Sequence, residues 1–137
     1  MIKNMTIEQV NEINKCTLME SLGIEYTHLS KEYVEATMPV DNRTLQPTGI
    51  LHGGATIALA ETLAGVGSYL HIEENQHARG MQVSANHMSA ARGNSVRAIG
   101  KLIHKGHVSH VWDIEIFCCS SDKMISSVRI TNCIITK

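Results

Sequence analysis

What this chain of 137 residues lacks narrows its function before any motif is read. It has no charge excess: 12 Lys and Arg stand against 13 Asp and Glu, for a net charge of −1. The electrostatic footprint of a nucleic-acid binder is therefore missing, and no basic run or basic stretch interleaved with aromatics appears. No uninterrupted apolar run reaches the roughly 18–20 residues of a membrane span. The opening Met-Ile-Lys-Asn-Met-Thr has no apolar h-region and no cleavage site, so no secretory signal is expected. Cysteines are few and unpatterned: Cys16, Cys118, Cys119 and Cys133. Neighbouring Cys118 and Cys119 would face opposite sides of a strand, which suits packed thiols and a cytoplasmic location better than a disulfide framework. P-loop, dinucleotide fingerprint, serine elbow and paired Cys-x-x-Cys are all absent.

What is present describes an ordinary globular domain, 43% apolar and 18% charged, long enough for one hydrophobic core. Thr6 and Gln9 form a capping box. Ile7, Val10, Ile13, Thr17 and Leu18 continue it at helical spacing, and Gly23 ends it. Two strands follow, near 24–29 and 33–40; Val34, Ala36, Met38 and Val40 supply the buried alternation of the second. A loop over 44–51 with Pro47 and Gly49 leads into a long helix from Gly53 or Gly54 to His71. A polar loop over 73–79 precedes four strands near 80–90, 96–104, 110–119 and 124–136, β-branched and punctuated by Gly, Asn and Asp. In the third of these, Trp112, Ile114, Ile116 and Cys118 alternate with Val111, Asp113, Glu115 and Phe117. The pattern predicts a single α+β domain, one curled antiparallel sheet around one long apolar helix.

Between His52 and His71 the only Asp, Glu, Lys, Arg or His is Glu61. A helix apolar nearly all round is a buried one, and a lone carboxylate inside it is costly without a reason. The same helix begins at His52-Gly53-Gly54, where free N–H groups and the positive dipole end suit a developing oxyanion. Glycine there lets a ligand approach the backbone. Gly53 and Glu61 are separated by roughly 12 Å along the axis, too far to act on one carbonyl. If both serve one reaction, two antiparallel copies of the helix must share it, in a two-fold dimer with composite sites.

The segment from Asn42 to Ala55, containing Gln46-Pro47-Thr48-Gly49-Ile50-Leu51-His52-Gly53-Gly54 and followed by Ala60-Glu61, closely resembles hotdog-fold acyl-CoA thioesterases of the 4-hydroxybenzoyl-CoA and 1,4-dihydroxy-2-naphthoyl-CoA type. Glu35–Asp41, Ala85-Asn86-His87 and Val111–Phe117 extend the likeness over nearly the whole chain. The resemblance implies a hotdog fold and hydrolysis of an acyl- or aroyl-CoA, with no cofactor beyond the CoA of the substrate. Glu61 would be nucleophile or general base. The Gly53 N–H of the partner subunit would polarise the carbonyl, with Gln46 and His52 beside it. CoA contacts would fall on Gly80, on His87, Met88, Ser89 and Ala90, and on His104, Lys105, Gly106, His107, Val108 and Ser109. A homo-oligomer is expected, a dimer and beyond it a dimer of dimers.

Two positions depart from the family pattern. Relatives carry Ser or Thr one helical turn after the glutamate, where this chain has Gly65. Thr62 and Ser68 are the nearest hydroxyls, neither at i+3 or i+4 from Glu61. Some relatives carry Arg near the CoA where this chain has Ser89. His104, His107 and His110 straddle a hairpin turn without an acidic or Cys ligand at metal-binding spacing, so no metal is expected. Cys118 and Cys119 lack a positioned base. Two other readings stay open: a hotdog dehydratase or hydratase using His52 and Glu61, although its His-Phe-Pro segment is absent, and a non-catalytic acyl-CoA-binding domain, which Gly65 would favour.

Overall fold

The computed structural model of the chain describes residues 2–137. One long helix, α3 (Gly53–Tyr69), lies in the curve of a six-stranded sheet. The strands are β1 (Glu25–Leu29), β2 (Val34–Pro39), β3 (Gln76–His87), β4 (Ser95–Lys105), β5 (Ser109–Cys118) and β6 (Met124–Thr136). Their spatial order is β1-β2-β4-β5-β6-β3, and every pairing is antiparallel. This is the expected α+β hotdog arrangement.

The buried face of α3 carries Leu59, Ala60, Leu63, Ala64 and Val66. They pack against the inward positions of the strands, including Val34, Ala36 and Met38 of β2 and Trp112, Ile114 and Ile116 of β5. Along β5 every second residue is buried, the period that Trp112, Ile114, Ile116 and Cys118 predict. Gly67 brings the helix close to the sheet: a Cβ there would run into the Trp112 ring.

Two elements differ from expectation. The amphipathic stretch after Thr6 is two helices, α1 (Ile7–Ile13) and α2 (Leu18–Leu22), rather than one. Its capping box and its left-handed Gly23 terminus (φ 72°) are as read. The break falls at Cys16, whose φ of 60° no helix accommodates. There the Glu20 carboxylate takes the Cys16 N–H at 2.7 Å, and the Thr17 hydroxyl turns back to the Asn14 carbonyl. The second difference is β3, which begins at Gln76 inside the expected polar loop. Most of β3 is exposed, because it is an edge strand with β6 on one side only. The other edge, β1, is closed: the Asn11 carboxamide takes the Tyr26 N–H at 2.8 Å and gives a hydrogen bond to its carbonyl at 3.0 Å, imitating a strand.

Beneath α3 sits a polar cluster centred on Ser68. Its oxygen accepts from Trp112 Nε1 and Asn132 Nδ2, both at 2.9 Å. Those two donors fill the lone pairs of the hydroxyl. The Ser68 O–H is left to donate to His110 Nδ1 at 3.2 Å, which requires that nitrogen to be unprotonated. Burial above all, then the charges of His71, Lys105 and His104, pushes His110 down to about 4. The unfolded chain, with an ordinary histidine near 6.5, therefore takes up a proton that the folded chain refuses between those values. Stability from this group is complete above pH 6.5 and is lost as pH falls toward about 4, by up to about 1.4 kcal/mol per pH unit. Urea midpoints measured from pH 7 to pH 4.5 should show that slope in the wild type and a shallower one in His110→Asn.

Candidate active site

The loop before α3 is held at both ends. Gln46 N–H bonds to the Ile50 carbonyl and Gly49 N–H to the Gln46 carbonyl, both at 2.9 Å. Leu45 and Leu51 form a bridge, and the Leu51 and His52 N–H groups reach the carbonyls of Ala91 and Thr44 at 2.9 and 2.8 Å. Gly49 supplies the left-handed corner with φ 79°. His52 is the N-cap of α3, its Nδ1 accepting the Gly54 N–H at 2.8 Å. The N–H of Gly53, the first helical residue, meets no acceptor among the described residues.

Gln46 and Gly53 open onto a cavity of ≈ 290 Å³ that His87, Met88, Ser89 and Ala90 also line. Two groups of expected residues, from the loop before α3 and from the end of β3, thus meet in one place. The His87 ring lies against Gly53, with Nε2 2.9 Å from where a Cβ would stand. Its Nδ1 is tied to the Ser126 hydroxyl at 2.7 Å. Within one chain, then, it is a histidine rather than a ligand that the missing side chain at Gly53 admits. Gly54 is likewise covered by the ring of His52. His52 borders a different cavity, with Arg43, Gly54 and Ala58.

Glu61 differs from expectation in its surroundings. It is exposed in the single chain, and α3 is not covered all round: Gly54 is exposed, and Ala58, Thr62, Gly65 and Tyr69 are half-buried on the same side. The sheet curls around only part of the helix, and small residues along the remaining stripe keep it apolar without burying it. Glu61 projects where this stripe meets β3. Its carboxylate lies against Gly80, and any Cβ at Gly80 would collide with it. Gly80 also opens the bulge in β3 that shifts the register before Gln82. Among the described residues the Glu61 side chain has no hydrogen-bond or ion-pair partner.

On its other side Glu61 borders an apolar groove of ≈ 380 Å³, shared with Thr62 and Gly65. Thr62 therefore reaches the same space as Glu61, although helical spacing places it off that face; the groove is wide enough to take in adjacent positions. Ser68 is buried in the Trp112 cluster and is not available there. Asn14 and Tyr26, which no motif singled out, also line the groove.

His104 to Ser109 form the β4–β5 hairpin. Gly106 N–H bonds to the Ser109 carbonyl at 2.8 Å, and Val108 accepts the Ile134 N–H at 2.9 Å. Lys105, Gly106 and His107 line a cavity with His71 and His110. In the ladder Ser109 is level with Cys133, and Cys133 with Arg79. The hairpin is thus at the Gly80 end of the sheet, and His87 to Ala90 are at the other.

A six-stranded antiparallel sheet wrapped around one long central helix defines the hotdog fold. The chain belongs to the thioesterase superfamily, whose family model matches residues 48–124, and it is a thioester hydrolase. It is 45% identical, over 87% of its length and 91% of the relative's, to the proofreading thioesterase EntH of Cronobacter turicensis. It is 42% identical to the 1,4-dihydroxy-2-naphthoyl-CoA hydrolase of Escherichia coli, over 87% and 92% of the two chains. Among solved structures, a thioesterase from Haemophilus influenzae superposes with a TM-score of 0.93 at 36% identity, covering 97% of this chain and 92% of that one.

Proposed function

We propose that the protein hydrolyses an acyl- or aroyl-CoA, adding water to the thioester to give the free acid and the CoA thiol, at a site shared between two copies. The observation that carries this reading is the pair of contacts Glu61 on Gly80 and His87 on Gly53. They put the carboxylate beside Gly80, midway along β3, and the free N–H beside His87, where the strand ends seven residues further on. The outer edge of β3 has no neighbour among the described residues, and an open edge is a template for another strand. Antiparallel pairing with β3 of a second copy, about a two-fold axis near Ser84, sets Gly80 of one chain opposite His87 of the other. Glu61 then faces the partner's Gly53 across one substrate.

In that arrangement the thioester oxygen accepts the Gly53 N–H, whose donor strength is raised by the helix dipole. Glu61 attacks the carbonyl carbon or takes a proton from the attacking water, for which the Thr62 hydroxyl lines the same groove as Glu61. Gln46 flanks the carbonyl, and His52 keeps the helix start in place through Gly54. The same pairing carries His104 to Ser109 of one chain to the end of the sheet where His87 to Ala90 of the other lie, so the CoA groups also come from both chains. A second dimer packing on the first would complete a homotetramer.

Mixing two inactive variants tests the shared site. Glu61→Gln and Gly53→Pro, allowed to exchange subunits at equal amounts, form half heterodimers, each with one intact site of two. Thiol release from the preferred acyl-CoA should recover to about a quarter of the wild-type value. A site contained in one chain would recover nothing above the mean of the two parents. A dehydratase would instead change enoyl absorbance without releasing thiol.

A further inference from the structure

His87 stands directly opposite Ser126 in the ladder between β3 and β6, and the two side chains meet, Nδ1 lying 2.7 Å from the Ser126 hydroxyl. The backbone just beyond is clamped as well, with the Met88 N–H on the Ile125 carbonyl at 2.8 Å. Ser126 is 1% exposed, and its hydroxyl has no other hydrogen-bond partner among the described residues. That sets the direction of the bond. A serine accepting a proton from Nδ1 would leave its own O–H buried and unpaired, which is costly. The hydroxyl therefore donates to Nδ1, and the imidazole carries its proton on Nε2. Nε2 is the ring atom that comes nearest to Gly53, and both residues line the same cavity. Among the described residues neither the Nε2 proton nor the Gly53 N–H has an acceptor. Gln46, which also lines this cavity, already gives an amide N–H to the Thr48 hydroxyl at 2.7 Å.

We propose that His87 is a second oxyanion donor and Ser126 the residue that positions it: the thioester oxygen held by the Gly53 N–H also accepts a hydrogen bond from His87 Nε2. This role rests on the hydrolase reading above and places His87 at the reacting carbonyl as well as beside the CoA. A donor aimed where negative charge develops binds the transition state more tightly than the ground state, so it raises kcat more than it lowers KM. A neutral imidazole suffices, because polarising a carbonyl needs a hydrogen-bond donor and no proton transfer. The oxyanion forms as Glu61 or water adds to the carbon, and its electron pair returns to expel the CoA sulfur. The Nε2 proton stays on nitrogen throughout. Gly53 and His87 belong to one chain, so in the shared site both donors come from one copy and Glu61 from the other.

The test follows thiol release from whichever of benzoyl-, hexanoyl- and dodecanoyl-CoA the wild type hydrolyses fastest. His87→Ala should lower kcat by about 10²–10³-fold with KM within about threefold, and His87→Gln, whose amide N–H stands in for Nε2, should regain about tenfold over the alanine variant. Ser126→Ala should lower kcat by about fivefold, the worth of one hydrogen bond, and Ser126→Thr, which keeps the hydroxyl, should restore it. Mixed in equal amounts with Glu61→Gln, His87→Ala should recover to about a quarter of the wild-type rate; mixed with Gly53→Pro it should recover nothing. A serine that only supported the fold would not divide the effect between kcat and KM in this way. A His87→Ala variant with kcat within about threefold of wild type, or with its loss in KM alone, would overturn the assignment and leave the hydrolase intact. A wild type that releases thiol from none of the three substrates would overturn both.

Discussion

Glu61→Gln should lower kcat for thioester hydrolysis by about 10²–10⁴-fold, with KM changed by less than about threefold. Glutamine keeps the size and the polar tip of the side chain but can neither attack a carbonyl nor hold a proton from water. Loss of a positioned base or carboxylate nucleophile is worth about 10²–10⁴ in rate. Folding should be unaffected, because Glu61 is exposed in the chain and the substitution leaves no buried charge or donor stranded. A melting temperature within about 2 °C of wild type would establish that. The measurement is thiol release at saturating substrate. A variant within tenfold of wild type would remove Glu61 from the chemistry.

Gly53→Pro should cost about 10²–10³ in kcat, the usual worth of one oxyanion donor, and little in stability. Proline is favoured at the first helical position because the N–H it lacks has no intrahelical acceptor. The preceding His52 already has the extended conformation that proline demands, with φ −70° and ψ 131°. The substitution also introduces a Cβ close to the His87 ring. Gly53→Ala brings the same carbon and keeps the N–H, and is the proper reference. The activity ratio of Ala to Pro isolates the hydrogen-bond donor; a ratio near one would mean that the Gly53 N–H does not touch the reacting carbonyl.

Local rules made much of this chain legible. Thr6 with Gln9, Gly23 at a helix end, the alternation along β5 and the limits of β6 each depend on neighbours a few residues away, and the structure has them as read. The reading failed where the partner is distant. Gln76, His77 and Arg79 look like loop residues because an edge strand needs no inward-facing apolar run. Only the ladder to Ile135, Cys133 and their neighbours makes them strand. Cys16 carries no helix-breaking chemistry of its own, and the break comes from side chains of Thr17 and Glu20 closing on the backbone.

The candidate site divides the same way. Its separation along α3 follows from residue count and helical rise, since 1.5 Å per residue holds whatever surrounds the helix. That Glu61 is solvent-facing rather than enclosed, that its carboxylate rests on Gly80, and that His87 occupies the space above Gly53 could come only from the tertiary structure. The last two are contacts between α3 and β3, whose relative placement is set by how the sheet curls and where β3 is bulged.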